Sequence, residues 1–335
     1  MTSKAREVER NVEAERNVQV EGRRAIEYIA APMTVPLASL LACPRCRGPL
    51  MEGTDELRCS RCNVSFPVQN GIPRMTDGAE QRDEKMAAEW QAQAHAHPQY
   101  IDRASILNHW EAEVLPQLVD WLGEVHGPIL DVGCGVGHLG RALTEMGRGD
   151  TELVGTDFQR DLLAEARVGY IGLVEGDVHH LPFRDGAFSA AIASNSLHHF
   201  PYPDKALLEI ARILRPGGVL IGYDPRYVTP LEKLKKLLRR HDKAFTEDHK
   251  AFRVDEYRDL LNASGLTVTA IRTIDPVGPL VATALDYLKV GRFGVAQAAA
   301  KALVAVDRAI AGATGDTPFG LMVAGRAVKP LDPVK

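Results

Sequence analysis

Short apolar runs alternate with amphipathic helical patterns through the middle of the chain. This alternation predicts a doubly wound, mostly parallel sheet, because two parallel strands need a crossover connection that a helix usually supplies. The predicted strands are residues 128–132, 152–156, 170–174, 188–193 and 217–223. The predicted helices between them are residues 138–147, 160–167 and 203–214. We therefore expect an α/β core built on parallel strands.

A different pattern follows the fifth strand. A helix is predicted at 254–263, and two further strands are predicted at 266–274 and 320–328. Two late strands of this kind predict an antiparallel hairpin at one edge, which makes the sheet seven-stranded. The segment 276–318 between them is apolar, rich in alanine and longer than a hairpin needs. It predicts a helical insertion over the end of the sheet.

The part of the chain that precedes the sheet divides by composition. Residues 1–32 mix acidic and basic side chains with few large apolar ones, which is typical of a charged tail without a fixed structure. Residues 33–76 hold two cysteine pairs and predict a small lobe. Residues 77–102 predict a linker that leads into a helix over the ligand site, and residues 103–335 form the α/β domain. Within that domain, residues 104–124 predict a helix whose tryptophans are expected in the core, with contact to a ligand as the alternative.

The overall composition is that of an ordinary globular protein. The chain has 335 residues and a formal net charge of −4, so its total charge gives no sign of nucleic-acid binding. No apolar run approaches the roughly 18 residues that a membrane span needs. The first residues are charged and do not resemble a secretory signal. We expect a cytoplasmic protein without a transmembrane segment, and a homo-oligomer is compatible with the sequence.

A glycine-rich turn follows the first predicted strand of the sheet. The strand ends at Asp131, and glycines follow at 133, 135 and 137 before a helix begins. Glycine permits a sharp turn and the close approach of a ligand, while the free N–H groups at the start of a helix favour an anionic group. With Gly140, the glycines also match the dinucleotide-binding pattern, and Asp157 lies at the right distance for a ribose contact. The turn predicts a nucleotide site without choosing between a dehydrogenase and a methyltransferase.

The cysteines of the N-terminal lobe form two pairs with the spacing C-x2-C-x12-C-x2-C. They are Cys43, Cys46, Cys59 and Cys62. Four thiolates at this spacing suit one tetrahedral Zn²⁺, and a full set of protein ligands leaves no open position for catalysis. Two disulfides or four free thiols are the alternatives. Because residues 40–75 hold few apolar side chains, we expect the metal to supply much of the folding free energy of this lobe.

The cysteine lobe resembles a known zinc ribbon. The segments 41–46 (LACPRC) and 66–73 (FPVQNGIP) are similar to the ribbon of the small activator protein that partners several methyltransferases, here fused in front of the α/β domain. The lobe also resembles the N-terminal zinc module of a bacterial ribosomal-RNA guanine methyltransferase. The second resemblance keeps RNA open as a substrate.

Three motifs after the glycine turn decide between the two nucleotide folds. They are 176–183 (GDVHHLPF), 195–200 (NSLHHF) and 214–218 (LRPGG). In this order they resemble class I S-adenosyl-L-methionine-dependent methyltransferases, in particular the branch whose loop after the fourth strand reads L-H-H. The resemblance extends from about residue 127 to 225 and more loosely to the end of the chain. A dehydrogenase is not expected to carry this series.

The resemblance implies a role for each matching position. The residues that would surround the methionine part of S-adenosyl-L-methionine are Asp131, Gly133, Gly135 and Gly137. Asp157 would bind the ribose, and Asn195 would lie beside the methionine end. Asp177 would accept from the adenine amino group, and Val178 would offer its backbone.

Candidates for proton transfer follow the fourth and fifth strands. His198 and His199 lie on the loop that should face the methyl group, and an imidazole titrates in the range that suits a general base. A packing or cofactor-shell role is the alternative for both. Asp224 follows the fifth strand, where it either holds the substrate or caps the turn.

The sequence therefore predicts an S-adenosyl-L-methionine-dependent methyltransferase with one structural Zn²⁺ per chain, acting on a small secondary-metabolite or lipid-like molecule. An RNA base methyltransferase and a non-catalytic cofactor-binding partner protein are the alternatives. Within 229–250, the basic amphipathic stretch 231–243 predicts either a solvated helix or a lid that draws in an anionic substrate or a lipid surface. The apolar insertion at 276–318 predicts instead a pocket for a hydrophobic acceptor.

Overall fold

A computed structural model provides the structure of the protein. It describes residues 35–76, 83–88, 110, 114–228, 251–275, 277–278, 298, 302, 306, 309 and 317–331. Contacts divide the chain into residues 1–32 and residues 33–335, and the described residues all belong to the second unit. The predicted charged tail and the basic segment 229–250 lie outside the described residues. So do most of the linker at 77–102 and most of the insertion at 276–318.

A seven-stranded sheet forms the centre of the second unit. Its strands are β5 (Ile129–Val132), β6 (Leu153–Asp157), β7 (Gly172–Glu175), β8 (Phe188–Ser194), β9 (Leu214–Pro225), β10 (Thr267–Ile274) and β11 (Met322–Val328). Their order is β10-β11-β9-β8-β5-β6-β7. The strands β5 to β9 pair in parallel, whereas β11 pairs antiparallel with both β9 and β10. The predicted doubly wound sheet with an antiparallel C-terminal hairpin is confirmed.

Helices connect the strands and cover both faces of the sheet. They are α2 (Leu115–Leu122), α3 (His138–Glu145), α4 (Arg160–Glu165), α5 (Pro203–Ile213) and α6 (Val254–Ala263). The helix α3 ends two residues before the predicted 147, where Gly147 takes a left-handed φ of +72°. None of the described helices is long and apolar enough to cross a lipid bilayer.

Both faces of the sheet are buried, as the near-continuous apolar strands require. Leu130 and Val132 of β5 pack on one face with side chains of α5 and α6. Ile129 of the same strand packs on the other face with side chains of α2 and α3. Alternate residues therefore enter two different cores, and this fixes the register of the strand.

The cysteine lobe is a four-stranded antiparallel sheet preceded by a short helix. The helix is α1 (Val35–Leu40), and the strands are β1 (Leu50–Glu52), β2 (Glu56–Cys59), β3 (Ser65–Gln69) and β4 (Ile72–Pro73). We call residues 35–76 the ribbon. Its buried residues Leu37, Leu57 and Phe66 belong to the same apolar cluster as Leu130 of the central sheet. The ribbon therefore shares a core with the α/β domain and does not depend on its own few apolar residues.

The ribbon contacts β7, which is an edge strand of the central sheet. Arg74 pairs with Glu175 in parallel, and the N–H of Met75 donates to the carbonyl of Glu175 at 2.7 Å. A Cβ added at Gly172 would lie 2.7 Å from Cδ2 of Leu37, so Leu37 packs directly on the strand. This pairing covers backbone groups that an edge strand would otherwise leave open.

The substitution Leu37→Ala tests whether the ribbon is part of the domain core. Leu37 is 1% exposed, so its truncation should leave a cavity against β7 and lower the free energy of unfolding by about 2–5 kcal/mol. Urea denaturation should still show one transition, because the ribbon and the sheet share one core. The matched control is Leu208→Ala on α5, where the leucine is 53% exposed and the change should stay within about 0.5 kcal/mol. Equal effects of the two substitutions would contradict the shared core.

Candidate functional site

A cavity of about 200 Å³ opens at the carboxyl ends of β5, β6, β7 and β8. The chain runs outward from β5 to β6 and β7 on one side and to β8 and β9 on the other, so the cavity lies at the point where the strand order reverses. Ligands of open α/β sheets bind at this point. The predicted site residues that line the cavity are Gly133, Gly135, Asp157, Asp177, Val178, Asn195 and His199. The predicted residues absent from its lining are Asp131, Gly137, His198 and Asp224.

The glycine turn is held by backbone bonds to the neighbouring strand. The N–H groups of Gly133 and Cys134 both donate to the carbonyl of Thr156, at 2.9 and 3.0 Å. Gly133 has a φ of +71°, and an added Cβ would lie 2.9 Å from Cβ of Ser196, so only glycine fits there. At Gly135 an added Cβ would meet no atom within 4 Å. The turn is therefore tight on its inner side and open toward the cavity at Gly135.

Asp157 joins the turn to the end of β6. Its Oδ2 accepts from the N–H of Gly135 at 3.0 Å, and its Oδ1 accepts from the N–H of Gln159 at 2.8 Å. Burial raises the pKa of Asp157 above its ordinary value, although these two N–H groups oppose the shift. A carboxylate with one donor on each oxygen retains lone pairs for a ligand hydroxyl.

Asp131 lies behind the turn and bonds to a residue that the sequence analysis missed. The hydroxyl of Tyr170 donates to Oδ2 of Asp131 at 2.5 Å. Burial raises the pKa of Asp131 to about 7, the nearby Asp157 adds to the shift, and the Tyr170 bond opposes it. The predicted strand included position 170, whereas β7 begins at Gly172 and leaves Tyr170 free to turn toward Asp131. Thr156 and Asp157 supply the acceptors that hold the turn's amides.

Asp177 organises a short turn after β7. It precedes the 3₁₀ turn Val178–His180 and accepts from the N–H of His179 at 2.9 Å. Its Oδ1 also bonds Nδ1 of His179 at 2.7 Å, and its Oδ2 bonds Nδ1 of His180 at 3.0 Å. Burial disfavours the charged form, but the bonds from His179 and His180 outweigh it and hold the pKa of Asp177 well below its ordinary value.

The loop after β8 forms another wall of the cavity. Asn195 adopts a left-handed φ of +57°, and its N–H donates to the carbonyl of Tyr223 at 2.6 Å. Asparagine tolerates this conformation better than most residues. The loop continues to Ser196, whose buried Oγ has no hydrogen-bond partner among the described residues. Ser196 lies against Gly133, so this hydroxyl is beside the glycine turn.

The two predicted histidines separate into a cavity residue and a buried one. His199 lines the cavity, and its ring lies 4.0 Å from the ring of His198. Nδ1 of His198 bonds Oδ1 of Asp224 at 2.9 Å, and Tyr257 donates to Oδ2 of the same carboxyl at 3.0 Å. Asp224 is fully buried, and burial raises its pKa well above the ordinary value. Asp224 therefore fixes the loop that carries His198 and lies away from the cavity surface.

Apolar and aromatic side chains complete the cavity. Phe158 and Leu162 line it beyond β6, and Phe200 lines it from the loop after β8. Trp110 also lines the cavity, and its Nε1 donates to Oγ of Ser194 at 2.9 Å. The helical periodicity placed Trp110 in the core. Periodicity identifies an inward face, but it does not distinguish a face that packs on the core from one that closes a cavity.

The four cysteines of the ribbon form a separate site. Their Sγ atoms lie within 4.8 Å of one another, with Cys43–Cys62 at 3.7 Å and Cys46–Cys59 at 3.4 Å. A tetrahedron with Zn–S bonds of about 2.3 Å has S–S separations of about 3.8 Å, whereas a disulfide needs about 2.05 Å. The geometry therefore fits zinc and excludes the disulfide alternative.

The thiols of this cluster differ in their pKa values. Burial raises the pKa of Cys43 to about 12. Burial also acts on Cys59, but the N–H groups of Cys62 and Arg61 oppose it and lower the pKa of Cys59 to about 6. A bound cation favours the thiolate form of every ligand, so zinc suits this cluster electrostatically as well.

Two family models match separate parts of the chain. Residues 130–222 match the methyltransferase domain model, and residues 36–71 match the model of Trm112p-like proteins. The first match covers the sheet from β5 and the glycine turn to β9 and includes most of the residues that line the cavity, although Trp110 lies outside it. The second covers the cysteine cluster.

Known proteins resemble part of the chain. Methyltransferase GfsG of Streptomyces halstedii is 31% identical over 183 residues, which is 50% of this chain and 65% of the relative. Demethylmenaquinone methyltransferase of Thermus thermophilus is 40% identical over 99 residues, which is 28% of this chain and 44% of the relative. The chain thus spans less than two thirds of the length of these relatives.

One chain of a solved complex resembles this chain in fold. The complex is that of the Haloferax volcanii Trm112 methyltransferase activator with a methyltransferase, with a TM-score of 0.50 and 20% identity over 73% of this chain and 100% of that chain. The likeness concerns the fold. The chain contains a methyltransferase domain at residues 130–222 and, before it, a Trm112p-like zinc ribbon region at residues 36–71.

Proposed function

We propose that the protein is an S-adenosyl-L-methionine-dependent methyltransferase that acts on a small molecule. The observation that carries this proposal is the row of carboxylates Asp131, Asp157 and Asp177, which lie at or beside the carboxyl ends of the adjacent strands β5, β6 and β7. An extended ligand with a cationic end, a ribose and a base matches this row in order. Its methionine end would lie at the glycine turn and its base beyond β7.

The charge of the site favours a cationic nucleoside over a dinucleotide. Asp131 and Asp157 lie beside the glycine turn, where a dinucleotide would place its pyrophosphate, and like charges at short range repel in a buried site. None of the described residues that line the cavity is a lysine or an arginine. A sulfonium and an ammonium group would instead be attracted to these two carboxylates.

The residues of the cavity have roles that follow from their positions. Asp157 would accept from the ribose hydroxyls, Gly135 would let the ligand approach the backbone, and Asn195 and Ser196 would flank the methionine end. Bound S-adenosyl-L-methionine supplies a methyl group activated for in-line displacement. The contribution of the protein is then mainly alignment of the acceptor. His199 lines the cavity and would take a proton from an acceptor that carries one.

The walls of the cavity support a small, partly apolar acceptor. Phe158, Leu162, Val178, Phe200 and Trp110 line the cavity and offer apolar contacts to an acceptor. The similarity to a protein named demethylmenaquinone methyltransferase agrees with such an acceptor. An RNA acceptor and a protein that binds the cofactor without turnover are the alternatives that the experiment separates.

Calorimetric titration tests the cofactor. S-adenosyl-L-methionine and S-adenosylhomocysteine should both bind to the full chain, and a nicotinamide dinucleotide should not. Asp157→Ala should weaken nucleoside binding at least about tenfold, because it removes the acceptors for the ribose hydroxyls and the hydrogen bond from the N–H of Gly135. Asp161→Ala changes an exposed aspartate on α4 and is the matched control. Binding of the dinucleotide alone would overturn the proposal.

Radiolabelled methyl transfer then tests the acceptor. The label should enter a small-molecule extract and not total RNA. Label in RNA would replace the proposed acceptor with a nucleic acid, and RNA binding would then weaken steeply with salt. Cofactor binding without transfer into either fraction would favour the non-catalytic alternative.

The affinity for S-adenosyl-L-methionine should depend on pH through Asp131. Its pKa of about 7 in the free protein leaves much of the carboxyl protonated at pH 6, and a cationic ligand favours the charged form. Affinity should therefore rise with pH by up to about tenfold between pH 6 and pH 8. Asp131→Asn should flatten this rise, since the amide does not titrate. A slope that persists in Asp131→Asn would assign the dependence to another group.

Metal analysis and removal test the zinc centre. The purified protein should contain one Zn²⁺ per chain, and a chelator should lower the melting temperature of the whole domain because the ribbon shares its core with the sheet. Cys46→Ser should lose the metal. Cys134→Ser is the control, since the fifth cysteine lies in the glycine turn and should leave the zinc content unchanged. Iron in place of zinc, or no metal in fully reduced protein, would contradict the assignment.

A further inference from the structure

We propose that Nε2 of His179 is the hydrogen-bond acceptor for the 6-amino group of the adenine, so that His179 carries the base specificity expected of Asp177. This inference rests on the proposed function, because it concerns how the same cavity recognises its nucleoside. It assigns a role to a histidine that the sequence motif alone does not mark.

The first step is the state of the imidazole. Asp177 accepts both the N–H of His179 and its Nδ1, and an ionised carboxylate can only accept. The same bonds hold the pKa of Asp177 low, which keeps it ionised. Nδ1 of His179 therefore carries the hydrogen. In the neutral ring Nε2 is then a hydrogen-bond acceptor.

The second step is the unsatisfied atom. The side chain of His179 is 4% exposed and lines the cavity, and its Nε2 has no hydrogen-bond partner among the described residues. A buried polar atom without a partner is unfavourable. A ligand that places a donor at this atom recovers that free energy. The site is therefore selective for a ligand with an N–H at this end of the cavity.

The third step is the position of the ring along the ligand. Ser196 lies against Gly133 of the glycine turn, where the proposed function puts the methionine, while Asp157 lies at the end of β6 and His179 follows β7. Because β5, β6 and β7 are consecutive neighbours in the sheet, a ligand that runs from the glycine turn past Asp157 ends near His179. In an adenosyl ligand that end is the base, and its exposed donor is the 6-amino group.

The fourth step compares the two candidate acceptors. Oδ1 of Asp177 already holds two donors from His179, and Oδ2 holds Nδ1 of His180. Nε2 of His179 holds none among the described residues. The ring is also fixed in direction, since Phe200 and Tyr202 pack edge-on against it at centroid distances of 6.2 and 5.8 Å. An acceptor that is both unoccupied and fixed is the better partner for the amino group.

The experiment compares two ligands on each variant of the full chain by calorimetry. One is S-adenosylhomocysteine, and the other is its analogue with hydrogen in place of the 6-amino group. The native protein should bind the adenosyl ligand about tenfold more tightly. In His179→Asn the ratio should fall to within about twofold, because the Asn amide can replace Nδ1 toward Asp177 but does not reach the position of Nε2. His180→Asn is the matched control, since His180 bonds the same carboxylate with a side chain 56% exposed, and its ratio should stay near that of the native protein.

The outcomes separate this inference from the proposed function. A tenfold ratio that persists in His179→Asn would assign the amino group to Asp177 and overturn the inference, as would equal affinities in the native protein. If the native protein bound neither ligand, the proposed function itself would fail. Nitrogen NMR of the native protein covers the case in which the variant does not fold. The Nε2 resonance of His179 should then shift more with the adenosyl ligand than with its analogue, and equal shifts would count against the inference.

Discussion

The carboxylate of Asp157 is the constraint on which the site depends. It accepts one N–H from the glycine turn and one from the start of α4, so a single side chain connects the ends of β5 and β6. The carbonyl of Thr156, one residue earlier, holds two more amides of the same turn. Three backbone donors of the turn, those of Gly133, Cys134 and Gly135, are thus satisfied by β6. Because this wall of the cavity is preformed, ligand binding does not lose free energy to ordering the turn.

Several acidic side chains are buried at the site, and the neighbours that bond to each carboxyl group differ. Asp177 has histidine donors and stays charged, while Asp131 accepts from the hydroxyl of Tyr170 and has a pKa of about 7. A row of buried carboxyls without lysine or arginine partners in the described cavity lining is unfavourable in the free protein. A cationic ligand relieves that cost. The same electrostatics that weaken the free state therefore select the ligand.

The sequence predicted those features that arise from neighbouring residues. The glycine turn, the acids at strand ends and the cysteine spacing are local patterns, and the strand order follows from the alternation of strands and helices. Tyr170 and Trp110 were missed because each meets its partner, Asp131 or Ser194, only through the fold. The motif contained His179, but whether its Nε2 has a partner depends on residues around it in space. The spacing of the four cysteines predicted a metal site in the ribbon, but it gave no sign that Leu37 would pack on β7.

Glu175 connects the ribbon to the ligand site. Glu175 ends β7, two residues before Asp177, and its carboxylate bonds Arg74 of the ribbon at 3.0 Å and Arg160 of α4 at 2.8 Å. With the backbone bond from Met75, the ribbon holds the end of the strand that leads to Asp177 in the cavity lining. A separate protein in this position would cover the strand only when its concentration exceeded its dissociation constant. Fusion in one chain removes that condition, because the tethered ribbon is always present at high effective concentration. The zinc cluster therefore supports the edge of the ligand site without taking part in its chemistry.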